Sequence, residues 1–202
     1  MNDRQPTILR QPQQDRSRLT RRRLLDATVD SLAQVGWTAT SVALVAARAG
    51  VSRGAAQHHF PTREALFEAA VDHIGQRRMA ELKRVAVDLP TGPGRTEAVL
   101  TVLVSIYTGP SFRAALQVWT AASSEPALRM QLVPLEADLG RRAHALAVEL
   151  LGVDESVAGA RETVQATLDL ARGLGLADLL HDDSRRRRRV IRQWARILDA
   201  RL

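Results

Sequence analysis

One short stretch of the chain carries the chemistry needed to read a nucleic acid. Arg53 can present two parallel donors to guanine O6 and N7, and Gln57 can either pair bidentately with adenine or donate to a phosphate. His58 can meet a base or a phosphate, and Gly54 lets backbone come close to a partner surface. Around them stand Thr40, Ser41, Arg48, Ser52, His59 and Arg63, hydroxyls and cations suited to phosphate oxygens. Contacts of that second kind fix register without reading sequence. Upstream, Arg18, Arg21, Arg22 and Arg23 could grip flanking phosphates or a minor groove, and Arg22 is taken as their representative.

Such side chains need a helix to present them, and residues 42–60 supply one. Ala46 is small enough for two helices to cross there. Gly50 permits the left-handed conformation of a tight turn, Val51 is a buried aliphatic just after it, and Ser52 caps the helix that follows. That helix should run over about Arg53–His59. Before it, Leu25, Val29, Leu32 and Val35 recur at helical spacing until Gly36 stops the helix, and Thr40 or Ser41 caps the next one. The pattern is that of a helix-turn-helix, whose second helix fits a major groove about 12 Å wide.

The charge supports a polyanionic partner. Of a formal net charge of +7, residues 1–23 hold seven Arg against two Asp, so the rest of the chain is nearly balanced. The sequence contains no Cys, which removes thiol catalysis, thiol redox sensing and Cys-ligated zinc. There is no Gly-rich phosphate loop, no nucleophile elbow and no carboxylate pair joined to a His, so no enzyme is expected. His181, Asp182 and Asp183 lack a partner at ligand spacing, and neither metal nor cofactor is expected. No apolar run approaches the roughly 18 residues of a membrane span, and the first residues lack a secretory h-region; a cytoplasmic location follows as an expectation.

Beyond the reading head the periodicity stays helical. Arg63 to about Val87 reads as a long fourth helix, closed by the breaker cluster Leu89-Pro90-Thr91-Gly92-Pro93-Gly94. Segments at about 95–107, 111–123, 126–151, 155–181 and 184–201 follow, the last carrying Ile191, Trp194, Leu198 and Leu202. The expected fold is therefore all-α, with about nine helices. Its parts are a disordered basic arm (1–16), a three-helix helix-turn-helix domain (17–75) and a helical effector-binding and dimerisation bundle (76–202). The run Arg185–Arg189 spans more than a turn, points in all directions and reads as a solvated helix start.

The stretches Gly36-Trp37-Thr38-Ala39-Thr40-Ser41-Val42, Ala49-Gly50-Val51-Ser52-Arg53-Gly54 and His58-His59-Phe60-Pro61-Thr62-Arg63-Glu64-Ala65-Leu66-Phe67 resemble the DNA-binding domain of the TetR family of transcriptional regulators. Two places depart from that pattern: Ala55-Ala56-Gln57 where a bulky aliphatic and a Tyr are usual, and Ala43-Leu44 where a polar pair is usual. The resemblance implies a homodimeric repressor that binds double-stranded palindromic DNA and is released by a small, apolar effector. It implies an effector pocket on the middle helices, with Tyr107, Phe112, Trp119, Met130 and His144 as candidates. It implies a dimer interface on the last two helices, with Val164, Leu168, Ala171, Gly175, Ile191, Trp194 and Leu198 as candidates. The alternative is a DNA-binding regulator without a small-molecule effector, governed by a protein partner or by autoregulation.

Overall fold

The computed structural model describes residues 10–201, with side chains from residue 14 onward. Within them the chain forms nine helices: α1 (Arg10–Ala39), α2 (Val42–Ala49), α3 (Arg53–His59), α4 (Arg63–Ala86), α5 (Arg95–Ser105), α6 (Gly109–Ser124), α7 (Pro126–Leu151), α8 (Ala160–Ala177) and α9 (Ser184–Asp199). No strand occurs among the described residues, and no single helix there is long and apolar enough to cross a membrane.

Two boundaries differ from the sequence expectation. Helix α1 begins at Arg10, so residues 10–16 of the expected disordered arm are helical, while residues 1–9 lie outside the described residues. Pro12 does not prevent this, because first-turn N–H groups have no intrahelical partner to lose. Helix α8 starts at Ala160, not near 155, because Asp154 Oδ1 accepts from Ser156 N at 2.9 Å and Gly159 is left-handed (φ 82°). Leu202, counted on the last helix, also lies outside the described residues.

The small N-terminal unit is assembled by caps and one aromatic core. Ser41 caps α2, its Oγ accepting from Leu44 N at 3.2 Å; Ser52 caps α3 in the same way through Ala55 N, and Thr62 caps α4 through Ala65 N. Gly50 takes φ 63°, ψ 36°, which closes α2 and turns the chain into α3. Leu24, Leu32, Val45, Ala46, Ala56, Phe60, Leu66 and Phe67 are buried together, and Val51 packs against them half-buried. Helix α4 runs about 36 Å at 1.5 Å per residue, long enough to leave this unit and enter the bundle formed by α5–α9.

The core does not stop at the bundle. Ala114, Val118 and Ala122 of α6, with Leu128 and Leu132 of α7, belong to the same buried cluster as the N-terminal unit. Two further clusters fill the bundle, one around Val99, Leu103, Leu146, Ala147 and Val164, the other around Leu100, Tyr107, Phe112, Ala171, Leu174, Ile191 and Leu198.

Those clusters correct the expected dimer interface. Val164, Leu168, Ala171, Gly175, Ile191 and Leu198 are buried within the protomer, and Trp194 is half-buried with its indole N–H donating to Thr167 Oγ1 at 3.0 Å. The strongest apolar stripes are covered inside the protomer, that of α8 by α5 and α7 and that of α9 by α5. What they leave outside is a thinner strip: exposed Ala166, Gly173, Leu176 and Leu180, beside Ile197 and the half-buried Val190 and Trp194.

Gly175 shows how tightly this bundle is closed. A Cβ there would lie 1.9 Å from the Tyr107 carbonyl oxygen, a backbone atom that cannot rotate away, whereas a Cβ on Gly140 of α7 would meet nothing within 4 Å. Gly175→Ala should therefore lose about 1–3 kcal/mol or more by overpacking. Gly140→Ala should gain about 0.5–1 kcal/mol from helix propensity. Urea unfolding followed by circular dichroism checks both; equal midpoints for the two variants would contradict the packing described.

Candidate nucleic-acid interface

Helix α3 turns Ala56 into the core and leaves Arg53, Gly54, Gln57 and His58 exposed on one outer face. A Cβ on Gly54 would meet nothing, so glycine is not demanded there by the protein's own packing. His59 is half-buried; burial first, then the neighbouring His58 and Arg21, hold its imidazole below the usual range, so it is neutral at pH 7. Arg21 of α1 reaches across to this face, its guanidinium 5.3 Å from the Phe60 ring centroid. The outer face of α3 thus presents Arg53 as a cation with Gln57 and His58 as adaptable polar groups, while Arg21 stands at the end of α3 beside Phe60 and His59.

Several flanking residues expected to touch phosphate have other partners. Thr40 is buried and its hydroxyl donates to Gly36 O at 2.7 Å, so it holds the chain at the end of α1 and is not free for an anion. Arg63 packs against a pair of rings, its guanidinium 4.4 Å from the Trp37 centroid and 5.0 Å from that of Phe67. It donates to Thr40 O at 3.1 Å and to Trp37 O, and is a structural clamp. Arg48 donates to Ser31 Oγ at 3.1 Å and ties α2 to α1 while its remaining surface stays exposed. Arg22 lies 3.8 Å from Asp26, whose carboxylate also accepts from Arg77 at 2.7 Å and contacts His73 Nε2 at 2.9 Å. Asp26 therefore joins α1 to α4. Ser41 and Ser52 keep their capping roles and remain exposed at the two helix N-termini.

The same clamp connects the reading head to the bundle. Trp37 packs tilted against Phe67 with centroids 4.4 Å apart, its indole N–H donates to Glu125 Oε1 at 3.2 Å, and its backbone N–H donates to Gln117 Oε1 at 3.5 Å. Gly36, at φ 77°, breaks α1 immediately before this residue.

A cavity opens in the bundle behind α6. It encloses about 610 Å³ of space free of protein atoms, counting its mouth, and is lined by Ile74, Arg78, Tyr107, Phe112, Trp119, Glu136, Leu139 and Arg172 among others. Three of the five expected pocket residues are here, and two are not. Met130 is exposed because α7 turns Leu128 and Leu132 inward instead. His144 is drawn to Glu155, Nε2 to Oε1 at 2.7 Å, away from the cavity. The charged lining, Arg78, Glu136 and Arg172, went unnoticed in the sequence. Its signal is a charge placed in an apolar stripe at helical spacing: Val71, Ile74, Gly75 and Arg78 on α4, and Glu136, Leu139, Gly140 and Ala143 on α7. Burial raises the Glu136 carboxyl above its usual range against the pull of Arg172, and burial raises the Tyr107 phenol, which stays protonated.

Residues 24–70 match the profile of the family described as bacterial regulatory proteins, tetR family. An uncharacterized HTH-type transcriptional regulator of Mycobacterium tuberculosis is 28% identical over 142 residues, 70% of this chain and 73% of that protein. The HTH-type transcriptional regulator BetI of Paraburkholderia phymatum is 34% identical over 112 residues, 54% of this chain and 57% of that protein. Among solved structures, a member of the TetR family from Streptomyces coelicolor superposes with a TM-score of 0.59 at 23% identity, covering 87% of this chain and 97% of that one, which shows a shared fold.

If Arg63 is a clamp, Arg63→Ala should lower the unfolding free energy by about 2–3 kcal/mol, from the lost cation–π contact and the lost hydrogen bonds to Thr40 O and Trp37 O. Arg53→Ala on the exposed face should leave it within about 0.5 kcal/mol of the parent. Chemical denaturation of the two variants side by side reads this directly, and an Arg63→Ala protein as stable as the parent would remove the clamp.

Proposed function

We propose that the chain is a TetR-family DNA-binding transcriptional regulator, supported by the profile match over residues 24–70 and by its regulator relatives, and that it acts in the cytoplasm as a homodimeric repressor, holding a palindromic operator and releasing it when a small molecule fills the cavity. The carrying observation is the double use of α6: Ala114, Val118 and Ala122 pack into the core of the reading head, while Phe112, Ala115 and Trp119 line the cavity. A ligand that displaces Phe112 or Trp119 moves the surface on which the head is seated. Packed interiors respond to such a push by switching between discrete arrangements more readily than by deforming smoothly. Effector and operator then oppose each other reciprocally.

Two copies of α3 would enter successive major grooves, with Arg53 and Gln57 reaching base edges and Ser41, Ser52, His58, Arg21 and Arg22 meeting backbone. The dimer would form on the exposed strip of α8 and α9, where Gly173 and Ala166 let two helices approach and Leu176, Leu180 and Ile197 supply apolar area.

Genomic DNA selected on the purified protein and sequenced should yield a palindromic motif. Recovery of unrelated fragments with a steep salt dependence would mean non-specific electrostatic binding and would end the operator reading. Arg53→Ala should cost about 1–3 kcal/mol on the selected site and relax one base preference, whereas a phosphate contact would weaken cognate and scrambled DNA alike.

Gly173→Glu tests the interface separately. A Cβ there meets nothing within the protomer, so the variant should fold. Light scattering should show its mass falling from two chains to one, with operator affinity lost; a dimer of parental affinity would place the interface elsewhere.

A further inference from the structure

The cavity's polar groups are unevenly satisfied. Arg172 projects from α8 over the aromatic wall, its guanidinium carbon 5.4 Å from the Tyr107 centroid and 6.0 Å from that of Trp119. Its ionic neighbours, Glu136 at 3.8 Å and Asp169 at 3.6 Å, both stand beyond direct hydrogen-bond distance. From α4, Arg78 donates Nη2 to Thr108 O at 2.8 Å and Nη1 to Glu81 at 3.2 Å. The Nε atoms of Arg78 and of Arg172 are both buried without an acceptor among the described residues. Buried donors of this kind are costly to leave unmade, and charged ones most of all.

We propose that this cavity takes a flat aromatic monocarboxylate, its ring lying against Phe112 and Trp119 and its carboxylate accepting from the guanidinium groups of Arg172 and Arg78. The proposal rests on the reading of this cavity as the effector site, and it names that effector's chemical class.

Charge selects an anion, and one charge only. The cavity wall itself holds two guanidinium groups against the single carboxylate of Glu136. Glu81 and Asp169 partly compensate, but both are largely exposed and their fields are screened by water. Glu136 is the one anion on the wall, so the two guanidinium groups leave a single unmatched positive charge. An organic cation would face both guanidinium groups, and a dianion would exceed the positive charge available. Shape selects a ring: Tyr107 meets Phe112 edge-on with centroids at 5.6 Å and 84°, Phe112 meets Trp119 at 6.2 Å and 78°, and such walls favour another aromatic.

Three probes of one shape test this: 2-naphthoate, 2-naphthamide and 2-naphthylmethylammonium, titrated into the full chain by calorimetry. Naphthoate should bind about tenfold or more tighter than the amide, the worth of a charge-assisted hydrogen bond. The difference should vanish in Arg172→Gln, persist in part in Arg172→Lys, and widen in Glu136→Gln, where the competing carboxylate is gone. If Arg172→Gln does not melt cooperatively, the Lys and Glu136→Gln arms carry the comparison. Equal binding of acid and amide, tightest binding of the ammonium compound, absence of binding by all three, or discrimination that Arg172→Lys and Glu136→Gln leave unaltered would each overturn the assignment. Fluorescence anisotropy on a DNA duplex carrying the selected operator separates this from the repressor reading. Naphthoate that binds with the expected discrimination and leaves DNA affinity unchanged upholds the chemistry of the cavity and removes ligand release.

Discussion

The placement of the reading head depends on one indole. Trp37 is held from three directions: by the Phe67 ring at 4.4 Å, by the Arg63 guanidinium at 4.4 Å, and by Glu125, which accepts its N–H at 3.2 Å. These groups come from the end of α1, the start of α4 and the end of α6, three elements far apart in the chain. Gly36 makes the arrangement possible, since at φ 77° it turns the chain out of α1 and a Cβ there would press on the Gln117 side chain at 3.1 Å. Immediately after Trp37, buried Thr40 bonds back to Gly36 and Ser41 starts α2. The direction of α2, and through the Gly50 turn that of α3, is thus set at a residue whose outer edge belongs to the bundle. An aromatic ring in contact on several sides has few alternative positions, so a change at α6 cannot be absorbed at this joint without cost.

Helices α4, α6 and α7 each contribute both to the buried cluster of the head and to the cavity wall. Helix α4 brings Leu66 and Phe67 to the head and, further along, Ile74, Gly75 and Arg78 to the cavity. A Cβ on Gly75 would sit 2.1 Å from Leu139 Cδ2, the movable end of a side chain of α7. The α4–α7 approach is close there, and the cavity mouth is shaped by it. Asp26 adds a polar tie between α1 and α4 through Arg77 and His73. Exposed ties of this sort contribute little to stability, so they steer the relative tilt of α1 and α4 more than they hold it.

The reading head was largely legible because its signals are local. Caps at Ser41 and Ser52, the left-handed Gly50 and the small Ala46 each act within a few residues, and each is where the sequence places it. What failed were inferences about which side of a residue faces outward. Thr40 and Arg63 have the chemistry of phosphate ligands, but their partners, Gly36 O and the Trp37 and Phe67 rings, are set by tertiary packing. Val164, Leu168, Ile191 and Leu198 were assigned to a partner subunit because they form the best apolar stripes on α8 and α9. A stripe announces that something covers it and not what does; here α5 and α7 do, and what stays exposed is the weaker pattern around Gly173. His144 was misplaced for a similar reason, since its partner Glu155 lies in a loop that helical periodicity does not describe.

The distribution of the aromatics follows the same logic. The chain has three Trp, three Phe and one Tyr. Trp37, Phe60 and Phe67 build the head and its joint; Tyr107, Phe112 and Trp119 line the cavity; Trp194 lies between α8 and α9 at the exposed strip. Everywhere else the packing is Ala, Leu and Val, which lets helices approach closely but leaves many near-equivalent registers. Large rigid rings remove that freedom where they sit. Placing them at the joint, the cavity and the side of α9 that faces Thr167, and almost nowhere else, fixes the packing at those three positions.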